Sequence, residues 1–214
     1  MASGGLQGEE LFEVFDEANE RSLGLVPRSE VHRRGLLHRS VNVFLVLLPH
    51  DDLAADAIGG MSEDPLVLLQ KRAANKDIAP GEWDLSVGEH LQPHERFISA
   101  AVRGVLEELG LHVEETAMHA LHAPAPFFLD LPDKGVHDHE YQAAFVTFVT
   151  VPPKMALQES EVADVRWVKL STLIRAWQGE TKDDDVAMVL TPWFRNELAL
   201  LSKTNLSALR RPPI

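Results

Sequence analysis

Two adjacent glutamates, Glu107 and Glu108, stand near the end of a helical pattern that begins at Pro93. Carboxylates at the C-terminal end of a helix oppose the helix dipole, which favours cations there. Gly104 lies inside the same pattern, where glycine costs about 1 kcal/mol relative to alanine. Both costs are explained if a divalent cation binds the carboxylates and another group approaches the helix backbone closely. Adjacent carboxylates with few nitrogen donors nearby suit Mg²⁺ or Mn²⁺.

The alternative interpretation of this segment is an amphipathic surface helix with a solvated acidic end. Residues 93–109 have one broad apolar face, and Arg103 and Glu107 form an i,i+4 pair on the opposite face. Pro93 suits a first helical turn, and Gly110 suits the position after the last one. Adjacent glutamates are common on surface helices. The helix dipole and the internal glycine are therefore what favour a cation site.

A basic cluster, Lys71, Arg72 and Lys76, interrupts a chain whose formal net charge is −13. These side chains could bind a diphosphate, and the Arg72 guanidinium could donate two parallel hydrogen bonds to it. The alternative is a solvated strand end. We favour the phosphate site, because an anionic substrate needs local cations to approach an acidic protein.

The pattern of the chain predicts a mixed α/β fold, since β-rich runs alternate with helical ones. Predicted strands cover 40–48, 65–72, 81–88, 140–151 and 162–170, and predicted helices cover 93–109, 171–177 and 192–202. Ser171 and Thr191 are the predicted N-caps of the last two helices. We expect a disordered N-terminus at 1–8, one domain at 9–204 with an N-terminal extension at 9–39, and a C-terminal tail at 205–214.

Composition excludes several classes of site and partner. The 214 residues include no cysteine, which removes disulfides, zinc–thiolate sites and thiol nucleophiles. The negative charge opposes binding to nucleic acid, including mRNA decapping, and the apolar runs are too short to cross a membrane. The first ten residues lack the basic and apolar regions of a signal peptide. We therefore expect a cytoplasmic protein that acts on a small molecule, and the oligomeric state stays open.

Residues 89–111 resemble the Nudix box, which reads glycine, five residues, glutamate, seven residues, then R-E-apolar-x-E-E-x-G-apolar. Seven residues separate Glu95 from Arg103, and RGVLEELGL at 103–111 follows the second half of the box. Two positions differ. Glu89 occupies the place of the first glycine, with Gly88 one residue earlier, and Gly104 replaces the first glutamate of the helix.

The resemblance implies a Nudix α/β/α sandwich with a mixed sheet between helices and the box as a loop–helix–loop. It implies Mg²⁺-dependent (or Mn²⁺-dependent) hydrolysis of a diphosphate linkage in a small organic diphosphate, nucleoside or non-nucleoside. Glu107 and Glu108 would bind the metal, with the Gly88 carbonyl as a further ligand. Arg103 would orient the glutamates.

The resemblance also implies substitutes for the missing helix glutamate, which binds metal or acts as the general base in many family members. Glu161, or Glu159 in the same loop, is the candidate base. Arg72, Lys76 and Lys71 would hold the substrate phosphates. Alternatively, because Gly104 lacks a carboxylate, the protein could bind diphosphates with little or no catalysis.

A wider similarity, over about residues 9–200, is to the isopentenyl diphosphate isomerase branch of the family. There, Arg72 and Lys76 match diphosphate-binding cations, and Trp83 and Trp193 match aromatic residues of the active-site region. The positions near its metal ligands are His32, His38, His90, Glu108 and either Asp138 or Glu140. The isomerase cysteine is replaced by Gly88, which argues against isomerisation by that mechanism.

Two groups of residues keep two interpretations. His32, His38 and His90 could be metal ligands or ordinary histidines, and Trp83 could stack on a substrate ring or pack in the core. For the His-rich segments that contain His119, His122 and His137, we favour ordinary surface positions over a metal site. The ten histidines of the chain thus do not by themselves identify a metal centre.

Overall fold

A computed structural model describes residues 9–48, 64–76, 78–180, 188–206 and 209. The predicted disordered N-terminus at 1–8, residues 49–63 and most of the predicted tail at 205–214 lie outside the described residues. Among those described, no helix combines the length and apolar character that a bilayer crossing requires.

Nine strands form two sheets in the described chain. Their bounds are β1 Leu11–Phe15, β2 Ser22–Pro27, β3 His38–Leu47, β4 Leu66–Arg72, β5 Trp83–Asp84, β6 Val87–His90, β7 His119–Leu131, β8 Val136–Val149 and β9 Val162–Lys169. Strands β1 and β2 form a separate hairpin. The other seven form one mixed sheet with the order β5-β4-β3-β8-β7, in which β6 also pairs with β3 and β9 with β4.

The site forms beside the central strand β3, because two strands, β4 and β6, pair with the same edge of it. Its first half pairs with β6 and its end pairs with β4, while β8 runs parallel to it along the other edge. Where β4 and β6 separate, the buried Ser86 hydroxyl donates to the Leu68 carbonyl at 2.6 Å and accepts from the Leu45 amide at 2.8 Å. This bridge satisfies backbone groups that the fork would leave unpaired. It also fixes the start of β6, which carries Gly88, Glu89 and His90.

Helices cover both faces of the large sheet. Their bounds are α1 Arg28–Arg34, α2 Phe97–Leu109, α3 Leu170–Trp177 and α4 Pro192–Leu201. One buried cluster joins α2 to the sheet through residues such as Val43 and Val105, and a second joins α3 and α4 to the opposite face through Phe44 and Phe194. The predicted α/β/α sandwich with a mixed sheet is confirmed.

The element bounds differ from the predictions where distant contacts decide them. The helix that carries the acid pair begins at Phe97 rather than Pro93, because His94 has a left-handed φ of 63° and a turn precedes it. The helix predicted from Ser171 begins at Leu170. The Ser171 amide and hydroxyl both donate to the Asp64 carboxylate, which lies 107 residues away in sequence and which no local pattern could supply.

Strand β7 was not predicted at all. It contains Pro124 and Pro126, and proline lacks the N–H that a strand in the middle of a sheet must donate. The strand lies at the edge of the sheet, beyond β8, where this loss is tolerated. Its pairing with β8 is irregular around His122. A sequence that looks like a loop therefore forms the outer strand.

Candidate active site

One cavity of about 360 Å³ opens beside the fork of β3, β4 and β6. Its walls come from β3, β4, β6, α2 and β8, and the N-terminal extension adds Glu10 and Arg28. The Glu10 carboxylate accepts from the Arg28 guanidinium at 3.1 Å, so the extension adds an ion pair rather than a free charge. Most of the lining is charged or polar, which suits a polar ligand with several charges.

The two glutamates of the acid pair on α2 differ in their exposure to solvent. Glu108 is buried, with 5% of its surface exposed, although it belongs to a helix end. Burial, together with the nearby charge of Glu89, raises the pKa of Glu108 well above its usual value. The Glu107 side chain is about half exposed and also lines the cavity. The interpretation of a wholly solvated acidic end is thus wrong for Glu108.

Arg103 organises the acids around it. Its Nη1 lies 3.0 Å from a carboxylate oxygen of Glu107 and 3.0 Å from one of Glu89, and its Nε and Nη2 donate to the two oxygens of Glu95 at 3.0 and 2.9 Å. Nη2 also donates to the His90 carbonyl at 2.8 Å, which ties α2 to β6. Burial opposes the charge of Arg103, but the Glu95 hydrogen bonds and the charge of Glu89 raise its pKa.

Glu89 is a site residue that the sequence interpretation missed. It was considered only as a departure from the glycine of the box, yet its side chain lines the cavity and is 18% exposed. One oxygen accepts from the His90 amide at 2.8 Å. Burial raises the pKa of Glu89 against the opposing effect of Arg103. The signal that could have found it was the unexplained carboxylate itself, next to a candidate histidine ligand.

The basic side of the cavity consists of Arg72 and Lys76. Arg72 lies beside the buried Asp84, with Nη1 3.3 Å from a carboxylate oxygen, and over the ring of Trp193 at 5.1 Å. The Trp193 indole donates to both oxygens of Asp84 at 2.8 Å. Asp84 therefore holds both a cation and an aromatic side chain, and it too was missed from sequence. Lys76 pairs with Glu161 at the cavity wall.

Several predicted residues lie elsewhere. Lys71 does not line the cavity, although its neighbour Arg72 does, because successive side chains of a strand point to opposite faces. Glu159 is exposed and outside the lining as well. Trp83 is 8% exposed and belongs to the core, so its core interpretation is confirmed. His122 pairs with Glu197, with 3.4 Å between the nearest atoms.

A second cluster, here called the nitrogen-rich cluster, comprises His32, His38, His90, Asp138 and Glu140. Four elements contribute to it: α1, β3, β6 and β8. The Nε2 atom of His38 lies 3.5 Å from Asp138 Oδ1 and 3.8 Å from Glu140 Oε1, and Nε2 of His90 lies 3.3 Å from the same Glu140 oxygen. Ligand atoms of the three histidines all lie within 4.8 Å of one another, and the same holds for His38, Asp138 and Glu140.

The N-terminal extension covers the nitrogen-rich cluster. The ring of Phe12, from β1, stacks on His90 with 4.3 Å between centroids and on His38 with 5.0 Å. The guanidinium carbon of Arg28 also lies over the Phe12 ring, 5.5 Å from its centroid. The extension is thus part of the site and not an independent attachment.

The hydrogen bonding of the nitrogen-rich cluster fits a metal ion. Nδ1 of His38 lies 3.0 Å from the Leu36 carbonyl, which can only accept, so Nδ1 carries the proton and Nε2 presents its lone pair to the carboxylates. Among the described residues, Nε2 of each histidine and Oδ1 of Asp138 are buried without a hydrogen-bond partner. Buried polar atoms that converge in this way are costly unless a proton or a cation lies between them. Three imidazoles and two carboxylates suit a divalent transition metal.

The charges of the nitrogen-rich cluster agree with this interpretation. Burial lowers the pKa of His32 to about 4 and that of His38 to about 3, and it lowers the pKa of His90 well below the usual value. Burial, together with the charge of Glu140, raises the pKa of Asp138 to about 8. Near neutral pH the imidazoles are therefore uncharged, which is the form that binds metals.

Comparison with known proteins identifies the family. The family model of the NUDIX domain matches residues 52–190. An isopentenyl-diphosphate Delta-isomerase of Cereibacter sphaeroides is 30% identical over 174 residues, which cover 81% of this chain and 84% of the relative. Nudix hydrolase 3 of Arabidopsis thaliana is 29% identical over 162 residues, or 75% of this chain, but the match spans only 19% of that larger protein.

A solved structure shares the fold of this chain. The crystal structure of DR0079 from Deinococcus radiodurans superposes with a TM-score of 0.57 and covers 94% of this chain and 100% of that one, at 15% sequence identity. The chain therefore belongs to the Nudix family, with similarity to its isopentenyl diphosphate isomerase branch.

Proposed function

We propose that the protein is a divalent-metal-dependent hydrolase that cleaves the diphosphate linkage of a small organic diphosphate. One observation carries this proposal: the buried carboxylate of Glu108 shares a single cavity with the cations of Arg72 and Lys76. The charges of Lys76 and Glu108 are close enough to shift each other's pKa. Carboxylates suit a hard cation and guanidinium and ammonium groups suit phosphate, so the cavity has both halves of a site for a metal diphosphate.

Arg72 and Lys76 hold the phosphates in this proposal. Arg72 is kept in place by Asp84 and by the Trp193 ring, so little side-chain entropy is lost when it binds. Lys76 meets the same ligand from the loop after β4. Fixed cations also stabilise the negative charge that develops on the leaving phosphate.

Glu161 is the proposed general base, and its contact with Lys76 suggests how it becomes available. In the structure described here the two side chains form an ion pair. A phosphate group that binds Lys76 competes with the carboxylate for the same ammonium donors. Release of Glu161 would then accompany substrate binding, and the free carboxylate could accept a proton from water.

Glu107 and Glu108 are the proposed ligands of Mg²⁺ or Mn²⁺, and Arg103 orients Glu107. A bound dication of this kind neutralises phosphate charge and lowers the pKa of attacking water. The loop between β8 and β9 supports the position of Glu108, because the Gln158 amide donates to the Glu108 carbonyl at 3.0 Å. The same loop carries Glu161. One loop therefore contacts the proposed metal ligand and carries the proposed base.

A substrate panel tests the proposal. Purified full-length protein, treated with a chelator and then supplied with Mg²⁺ or Mn²⁺, is incubated with nucleoside diphosphate sugars, dinucleotides, isopentenyl diphosphate and thiamine-type diphosphates. We expect metal-dependent release of phosphate or of a monophosphate from at least one class. Thermal stabilisation by a diphosphate with no product would instead indicate a binding module. Double-bond migration in isopentenyl diphosphate without phosphate release would indicate an isomerase, the activity in the name of several relatives.

A further inference from the structure

The helix position of Gly104 and the strand position of Glu89 face each other across the contact between α2 and β6. A Cβ atom built on Gly104 would lie 3.2 Å from Cβ and 3.5 Å from Cγ of Glu89, and 2.8 Å from Cγ1 of Val87. The space that a side chain at 104 would need is therefore already filled, most tightly by Val87 and next by the side chain of Glu89. Glycine at 104 leaves room for both of these β6 side chains.

The geometry points to Glu89 as the carboxylate that β6 supplies in place of one at 104, so that Glu89 binds the catalytic dication together with Glu108. This inference rests on the proposed function, but it concerns a residue that the box pattern assigns to glycine. The exchange is reciprocal: glutamate stands where the box has glycine, and glycine stands where the box has glutamate.

The contacts of Glu89 fix its position without using up its oxygens. One oxygen accepts from the His90 amide at 2.8 Å, and the other lies 3.0 Å from Arg103. Each carboxylate oxygen has two lone-pair sites, so one on each oxygen stays available. The side chain lines the same cavity as Glu108, and the two charges repel each other across it.

A neighbouring donor also indicates that the cavity is built for a ligand. Asn42, which is 3% exposed and pairs with Gly88 in the sheet, lines the same cavity as Glu89. Its Nδ2 is buried and has no hydrogen-bond partner among the described residues. An amide donor of this kind can donate a hydrogen bond to an oxygen of a bound phosphate or of a metal-bound water. The carboxylates cannot form hydrogen bonds of this kind with one another.

The test measures metal binding directly and does not depend on turnover. Mn²⁺ is titrated into chelator-treated full-length protein, and free Mn²⁺ is followed by electron paramagnetic resonance. Mg²⁺ competition identifies the oxygen-ligand site, because Mg²⁺ prefers oxygen donors. We expect Glu89→Gln to weaken the Mg²⁺-sensitive class of sites at least about tenfold, the effect typical of losing a group that holds the metal.

Glu95→Gln is the matched control. Glu95 binds the same guanidinium of Arg103 through both oxygens but does not line the cavity. If Glu89 served only to hold Arg103, the two variants would weaken Mn²⁺ binding equally. We expect the affinity of Glu95→Gln to stay within about threefold of wild type, even where its thermal stability falls. Equal losses in the two variants, or wild-type binding by Glu89→Gln, would overturn the inference.

A variant that reverses the exchange provides a second measurement. Glu89→Gly combined with Gly104→Glu and Val87→Ala moves the carboxylate to the helix and removes the methyl group that would clash there. We expect Mn²⁺ affinity to return to within about threefold of wild type, while Glu89→Gly alone stays weak. A folded reversal variant as weak as Glu89→Gly would reject the equivalence of the two positions.

Failure of this inference is distinct from failure of the proposed function. If the wild type binds Mn²⁺ through Glu89 but hydrolyses no diphosphate in the panel, the metal role stands and the hydrolase proposal fails. If the wild type hydrolyses a diphosphate and Glu89→Gln binds Mn²⁺ unchanged, the hydrolase proposal stands and the role of Glu89 is rejected.

Discussion

The nitrogen-rich cluster and the carboxylates of β6 and α2 lie on one cavity but are built in different ways. The first joins four elements through imidazoles and two acids, and Phe12 covers it. The second joins only β6 and α2, and Arg103 holds Glu89 and Glu107 together. Because imidazole suits transition metals and carboxylate suits Mg²⁺, the two regions are expected to differ in the ion they prefer. Each can be disrupted separately.

The largest expected effect is on the carboxylate side. Glu108→Gln should reduce Mg²⁺-dependent turnover at least about 100-fold, since it removes a charged ligand from the proposed metal site. The metal-free protein should be as stable as wild type or more so, because burial and Glu89 penalise the charge that the substitution removes. Initial rates at saturating Mg²⁺ and urea unfolding in a chelator measure the two quantities. Full activity in this variant would remove the metal role of Glu108.

His38→Ala provides the reciprocal control for Glu108→Gln. It removes a 1% exposed candidate ligand of the nitrogen-rich cluster that does not belong to α2. We expect Zn²⁺ affinity to fall at least about tenfold, and Mg²⁺ affinity at the carboxylate site to change by less than about threefold. If both ions were lost together in either variant, the two regions would form one site and the comparison would fail.

The next effect is the pH dependence of Zn²⁺ affinity at the nitrogen-rich cluster, which depends on the protons that its residues hold. With a pKa of about 8, Asp138 holds a proton in the metal-free protein at pH 6 to 7, whereas His32 and His38, with pKa values of about 4 and 3, do not. A metal must displace the carboxyl proton, so Zn²⁺ affinity should rise with pH, by up to about tenfold per unit, and level off near pH 8. Calorimetry in two buffers of different ionisation enthalpy should show about one proton released at pH 6.5. A flat profile between pH 6 and 8 would contradict the assignment.

The same contrast explains how much of the site the sequence could predict. The spacing of the box predicted Arg103 and Glu108 as site residues, and both line the cavity, because one helix fixes their relation. The basic cluster predicted Arg72 and Lys76, which line it too, but also Lys71, which points to the other face of β4. Composition could not decide whether the histidines were ligands. The structure brings His32, His38 and His90 together only through the pairing of β3 with β6 and β8, and through α1.

The residues that sequence reasoning missed share one property: their partners are distant in the chain. Asp84 is recognisable only when Trp193 and Thr191, more than 100 positions later, donate to it. Glu89 stands out in the sequence as an unexplained carboxylate, but its fit against Gly104 of α2 is visible only in the tertiary structure. The fold itself was predictable, because strand and helix patterns are local. The tertiary structure was needed for the elements of the N-terminal extension (β1, β2 and α1), for the edge strand β7 with its prolines, and for the Asp64 contact with α3.

The smallest expected effect tests the close contact of β6 and α2. Gly104→Ala should destabilise the protein, because the new Cβ at 2.8 Å from Val87 Cγ1 costs about 1–3 kcal/mol of overpacking, against about 1 kcal/mol gained in helix propensity. Mg²⁺ affinity should fall a few-fold as Glu89 is displaced, and Zn²⁺ affinity should not change. Gly88→Ala is the control, since its Cβ would meet nothing nearer than Asn42 Oδ1 at 3.6 Å, an ordinary contact. Its unfolding free energy should stay within about 0.5 kcal/mol of wild type. Equal stability of the two variants would mean that β6 can yield, and that Glu89 does not depend on the glycine opposite.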